Sequence, residues 1–243
     1  MANLLDCRLA PGLDPVGHPS WNVTPMRRVF ALSASHHPLH ALDPMQQGTN
    51  STRGRVIDAY RWGLVPSWSQ DPSVGNNLFN ARAETLADKP AFRSAFAQRR
   101  CVVLADGFYE WRLPHADDPR EDPRDGKIPY AFRRPDDDLL LMAGLWEIWR
   151  DPRSPDDLDT MLRTCTIITV PAGPDVAPVH ERMPALISRS DVDRWVDPAV
   201  RDGSAVAPLL RPAPAGTLIS YRVDRRVGAV ANDGAALFEP LTS

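Results

Sequence analysis

The chain has 243 residues, three cysteines and a formal charge of −3. That length suits one large domain whose core needs no disulfide or metal to hold it. The near-neutral charge excludes a protein that coats a polyanion through its overall field, while leaving room for a local basic groove.

The first twenty residues contain Asp6, Pro11 and Asp14 and no long apolar run, so they do not read as a signal peptide. No later stretch is long and apolar enough to span a membrane, and a cytoplasmic protein is expected. The 25 prolines are spread along the chain and favour many short elements. Short apolar runs bounded by Gly, Pro, Asp or Asn predict strands over Val29–Ser33, Val56–Trp62, Cys101–Ala105, Pro129–Arg133, Leu139–Trp146, Thr164–Val170 and Leu218–Val223. Lys89–Arg99 reads as a helix with Phe92, Ala95 and Phe96 on one face. Ser190–Val196 reads as a second, with Val192 and Trp195 inward. Its capping pattern is Ser188-x-x-Asp191 or Ser190-x-x-Asp193. Residues 203–210 add a short helical turn. The polar, proline-broken segments 43–54, 113–127 and 150–160 read as surface loops. No glycine-rich strand-to-helix phosphate loop is present. The expected fold is α+β, a strand-rich single domain over residues 1–243 with antiparallel or barrel-like sheets and a few short helices.

Several residues could carry chemistry. Asn80, Arg82 and Glu84 alternate, so an extended segment puts them on one face. They read either as a polar site or as a solvated edge with an internal Arg–Glu pair. Glu110 alternates with Tyr109 and Trp111, a setting that raises a carboxyl pKa and suits acid/base work. It equally fits a salt-bridged structural glutamate. His180 follows an apolar strand and its turn, where an imidazole can shuttle protons near neutral pH, although a lone histidine is usually a surface or capping residue. His18, His36, His37, His40 and His115 have no comparable setting, and the six together give no metal-site spacing. Trp62 reads as core and Trp68 as exposed, able to stack on an unpaired base. Arg53, Arg55, Arg61, Arg82, Arg93, Arg99, Arg100, Arg182, Arg225 and Arg226 cluster near these blocks and suggest a basic groove. Cys101 and Cys165 lie in apolar strands and Cys7 has no neighbouring base, so none reads as an activated thiolate. No metal or cofactor is expected.

The ordered blocks WNVTP (21–25), WGLVPSW (62–68), NARAET (80–85), ADGFYEW (105–111), KIPY (127–130), AGLWE (143–147) and HERMP (180–184) span nearly the whole chain. In this order they resemble the SOS-response-associated peptidase family of abasic-site processing proteins. The resemblance implies a DNA-damage, SOS-response protein that senses abasic sites in single-stranded DNA, acting as a monomer near the nucleoid and away from membranes. It implies that an N-terminal cysteine, exposed by self-removal of the initiator methionine, crosslinks to the ring-opened sugar aldehyde as a thiazolidine. On the matching positions, Asn80 orients the reacting terminus, Glu110 acts as acid/base and His180 assists ring opening. Arg82 and Arg182 hold flanking phosphates, and Trp68 stacks at the lesion.

The chain departs from that pattern at its start. It reads Met1-Ala2-Asn3-Leu4-Leu5-Asp6-Cys7-Arg8, where the family reads Met-Cys-Gly-Arg. Residues 4–7 resemble the helix that follows the family's first strand. The expectation is a true start upstream, with the nucleophile and one central strand missing here. Cys7 cannot replace that nucleophile, because its nitrogen is an amide. The alternative is a non-covalent binder of single-stranded or gapped DNA. A peptidase acting on other proteins fits less well, since no Ser/His/Asp order, HExxH motif or activated cysteine is present.

Overall fold

A computed structural model describes residues 5–10, 12–14, 19–34, 54–114, 124, 126–155, 157 and 160–241. The predicted loops 43–54 and 113–127 lie largely outside the described residues, and 150–160 lies partly outside them.

Eleven strands are described: β1 (Arg8–Leu9), β2 (Arg28–Ala34), β3 (Arg55–Trp62), β4 (Asn80–Arg82), β5 (Arg100–Ala105), β6 (Gly107–Arg112), β7 (Ile128–Arg133), β8 (Leu140–Trp149), β9 (Leu162–Pro171), β10 (Arg182–Pro184) and β11 (Ile219–Arg222). The strand order β3-β2-β5-β8-β9 closes on itself, because β3 and β9 also pair in parallel through Arg61↔Thr164 and Trp62↔Cys165. The expected barrel-like sheet is therefore a closed ring. β1 extends it beside β3, while β4 and β10 flank opposite edges of the far end of β9. A second, antiparallel sheet has the order β11-β7-β6.

The longest run, β8, is buried at all ten positions. One of its faces fills the ring and the other lies under helix α1 (Pro90–Gln98), which explains its near-continuous apolar sequence. α1 buries Phe92, Ala95 and Phe96, the face expected from their spacing, and starts on Pro90, whose fixed φ suits a first helical turn. A short helix α2 (Val192–Val196) buries Val192 and Trp195 and packs on β5. Its entry corrects the expected cap: the Ser188 hydroxyl donates to Asp191 Oδ2 at 2.6 Å instead of accepting a backbone N–H. The turn over 203–210 forms as two short pieces, Gly203–Val206 and Ala207–Leu209.

Four charged residues, Asp58, Arg99, Arg100 and Glu147, are buried among the described residues. Glu147 interrupts the apolar run of β8, yet β8 continues to Trp149, three residues past the expected end, because Arg99 Nη2 meets Glu147 Oε2 at 2.8 Å. Arg100 is 1% exposed and has no carboxylate. Its five N–H donors reach the carbonyls of Phe96, Ala97, Trp195, Asp197 and Val200 at 2.5–2.9 Å. These carbonyls crown the C-terminal ends of α1 and α2, where unpaired oxygens and the helix dipole favour a cation. Burial still pulls the Arg100 pKa down to about 10.

Gly63 ends β3 at φ +143°, and a Cβ there would stand 2.7 Å from the Gly75 carbonyl oxygen. Only glycine permits both this backbone and this approach. The contact folds the 63–75 segment tightly against the ring, leaving Trp68 at its outer tip.

Candidate functional site

Glu110 stands on β6 opposite Tyr130 of β7. Tyr109 and Trp111 point to the other face, into a small cluster with Ala131, Val223, Val227 and Leu237. Glu110 therefore does not lie between those aromatics, as the alternation suggested. It shares its face with Phe108, which stacks on Phe132 with ring centroids 5.0 Å apart and packs on the main core. Burial there pushes the Glu110 carboxyl above its ordinary range, opposed by the His180 charge, the Trp111 amide and Lys127.

His180 closes the turn after β9, where its backbone N–H donates to the Val176 carbonyl at 3.0 Å. Its Nδ1 accepts the Arg182 N–H at 3.1 Å and lies 3.0 Å from the Arg182 carbonyl oxygen. The other ring nitrogen, Nε2, stands 3.8 Å from Glu110 Oε2. The two sheets thus bring together one carboxyl and one imidazole, two of the expected acid/base residues.

Arg182 crosses β9 toward β4. Its Nη1 and Nη2 meet Glu84 Oε1 and Oε2 at 2.9 Å each, Nη2 reaches the Thr169 carbonyl at 2.7 Å, and Nε faces Thr169 Oγ1 at 3.3 Å. The guanidinium paired with the Glu84 carboxylate is thus that of Arg182, not of Arg82 two residues earlier. Glu84 also lies in a 3-10 turn (Ala83–Thr85) rather than on the strand carrying Asn80 and Arg82. Asn80 and Arg82 sit opposite Ile167 and Thr169 of β9, both exposed, and neither side chain forms a hydrogen bond among the described residues. Thr169 lies between Arg82 on one flank and Pro184 on the other, so β9 joins the β4 and β10 sides of the site.

Trp68 is 63% exposed, whereas Trp62 is half-buried and donates its indole N–H to the Phe79 carbonyl at 2.7 Å. The expected basic groove is largely dispersed. Arg99 and Arg100 are buried, Arg55 pairs with Asp193, Arg226 with Asp224, and Arg61 and Arg225 donate to carbonyls. Arg53 lies outside the described residues. Arg82 and Arg93 remain exposed without an ion pair among the described residues. Cys101 and Cys165 are fully buried, with thiol pKa values pushed up by burial, and the half-buried Cys7 is raised for the same reason. The other five histidines lie outside the described residues. Among those described, no group of His, Cys, Asp or Glu could hold a metal, and no helix is long and apolar enough to cross a membrane.

Sequence reading did not find what holds the terminal segments beside this site. Asn22 donates to the carbonyls of Val227, Ala229 and Asn232, and Tyr109 Oη donates to the Trp21 carbonyl at 2.7 Å. The block at 21–25 thereby pins the block at 227–232 against the outer face of β6. No local pattern signals a contact of this sequence separation.

A family profile described as SOS response associated peptidase (SRAP) matches residues 7–230. The chain belongs to that family. It is 33% identical to the abasic site processing protein YoqW of Bacillus subtilis over 222 residues, covering 91% of this chain and 86% of YoqW. It is 32% identical to the abasic site processing protein HMCES of Gallus gallus, covering 92% of this chain and 66% of HMCES. Among solved structures, the SRAP chain resembles a protein of Bacteroides thetaiotaomicron with a TM-score of 0.64 at 24% identity, covering 77% of this chain and 78% of the other. It also resembles a phage-related protein of Bordetella bronchiseptica with a TM-score of 0.58 at 25% identity, covering 88% and 86%.

Proposed function

We propose that this SRAP chain is a single-domain, monomeric DNA-repair protein that processes abasic sites in single-stranded DNA, near the nucleoid. The relatives' names as abasic site processing proteins support the substrate. The observation that carries the chemistry is the 3.8 Å approach of His180 Nε2 to a desolvated Glu110 carboxyl. An abasic sugar must open to its aldehyde before it reacts, and each step moves a proton. A carboxyl whose pKa burial raises and an imidazole beside it can deliver and recover those protons.

The attacking group in this reading is an N-terminal cysteine. Its amine attacks the aldehyde carbon, and loss of water gives an imine. Its thiol then adds across the C=N bond, with sulfur to carbon and the proton to nitrogen, closing a thiazolidine. An α-amine titrates near 8, well below lysine, so enough is unprotonated to attack. The internal cysteines lack that amine. Glu110 also serves removal of the initiator methionine, and Asn80 orients the new terminus. Trp68 stacks on a base. Arg82 takes a flanking phosphate, while Arg182 does so only by exchanging Glu84 for it.

The test is a denaturing gel with single-stranded DNA bearing one abasic site. A form with Met-Cys-Gly-Arg ahead of the present sequence gives a heat-stable adduct, and Glu110→Gln in that form slows it. The present sequence gives none. An adduct from the present sequence overturns this assignment of the nucleophile. Salt-dependent binding without an adduct from either form favours a non-covalent single-stranded DNA binder instead.

A further inference from the structure

The turn that carries Trp68 is tied to the barrel on both sides. Ahead of it, the Val65 N–H donates to Thr164 Oγ1 at 3.0 Å, and that hydroxyl donates on to the Glu147 carbonyl at 3.4 Å. Behind it, the Ser69 carbonyl accepts the Trp149 indole N–H at 2.7 Å, and the Ser69 N–H closes onto the Pro66 carbonyl at 2.9 Å. The Glu147 side chain is held from within by Arg99 Nη2 at 2.8 Å. Glu147, Trp149 and Thr164 are 4%, 2% and 0% exposed, whereas the tryptophan they surround is 63% exposed.

A buried Arg–Glu pair is seldom the most stable filling for a core, because desolvating both charges offsets most of their attraction. Here the pair also anchors the residue whose carbonyl takes the Thr164 hydroxyl. Two buried side chains, Thr164 on β9 and Trp149 on β8, thus grip the residues on either side of Trp68. A ring held this way loses less freedom when it stacks than one on a free loop.

We infer that Trp149 and Thr164 are positioning residues, which hold Trp68 in the outward orientation it uses to stack on DNA. This rests on the stacking role proposed above for Trp68. Both are buried, so each acts through the turn and not by contact with the ligand.

The test substitutes Trp149→Phe, which keeps a buried aromatic ring and removes the N–H along with the rest of the indole's five-membered ring. Binding is measured with a short single strand carrying a tetrahydrofuran abasic analogue, which has no aldehyde to react. The motion of the Trp68 indole is read by 15N relaxation in the free protein. The expected result is a lower heteronuclear NOE at Trp68 and a Kd raised about three- to tenfold, the range set by one lost hydrogen bond. In a Trp68→Ala background, Trp149→Phe should leave Kd unchanged, since the two substitutions act through one group. An unchanged NOE, or an equal loss in both backgrounds, overturns the inference while leaving stacking intact. Wild-type affinity in Trp68→Ala alone instead removes the stacking role, and the inference with it. Should Trp149→Phe fail to fold, Thr164→Val, which removes the acceptor of the Val65 N–H, carries the same two readouts and the same outcomes.

Discussion

Glu110 Oε2 and His180 Nε2 meet 3.8 Å apart across the seam between the two sheets. The carboxyl comes from β6 of the small sheet, and the imidazole from the turn that leads into β10 at the barrel's edge. Each is also fixed on its own side: Glu110 by strand pairing with Tyr130, and His180 by the Arg182 N–H on its other nitrogen.

Glu110→Gln should stabilise the fold at neutral pH. The folded carboxyl pKa is raised, first by burial, above an unfolded value of about 4.3. A raised carboxyl favours the fold below the unfolded value, and that contribution is lost as pH rises through the folded one. Glutamine never ionises, so the variant's advantage appears only as pH rises through that window. Urea unfolding at several pH values between 4 and 8 measures it. The same variant should lose about 10²–10⁴ in any acid/base step. A variant less stable than the wild type at pH 7 would mean that the carboxylate gains more from His180 than burial costs it.

Glu84→Gln should cost little stability and disturb His180. Glu84 is half exposed, so its pair with Arg182 contributes no more than about 0.2–1 kcal/mol. Arg182 holds its carboxyl below the usual range, so this contribution is present above the unfolded pKa and fades as pH falls through the folded one. The same Arg182 presents its backbone N–H to His180 Nδ1. Loosening it should disturb the contacts of Nδ1, seen in the ring 15N chemical shifts of His180. Unchanged shifts would confine Glu84 to a surface ion pair.

Arg100→Met should destabilise the fold by at least about 3 kcal/mol, because five carbonyls lose a charged donor at once. Arg100→Lys should recover only part of this, since an ammonium has three donors and no planar fork. Denaturant midpoints of the three proteins measure the order. A lysine variant as stable as the wild type would show that charge, and not geometry, satisfies the helix ends.

The local patterns carried much of the architecture. Strands β2, β3, β5, β7, β8, β9 and β11 were legible within a few residues because their apolar runs are bounded by turn-forming residues. α1 was legible because Phe92, Ala95 and Phe96 recur at helical spacing. The barrel's closure was not, since a parallel contact at Arg61↔Thr164 depends on where distant strands end up. Residue types flagged Glu110 and His180 separately, but their approach exists only once the small sheet docks on the large one. The role of Arg182 was hidden for the same reason: its partner Glu84 lies 98 residues earlier in sequence. The basic groove failed because proximity in sequence says nothing about which guanidiniums the interior consumes. Arg99 and Arg100, adjacent to a helix end, became interior caps.

The junction of β3 with β9 also bears on how this molecule assembles. Its two sides are separated in sequence by roughly a hundred residues, so ring formation is a late, slow event dominated by chain-closure entropy. During synthesis, β2, β3 and β5 emerge with an unsatisfied edge until β9 has left the ribosome. Over that interval the nascent chain exposes an open sheet, the state most prone to aggregate and most dependent on chaperones.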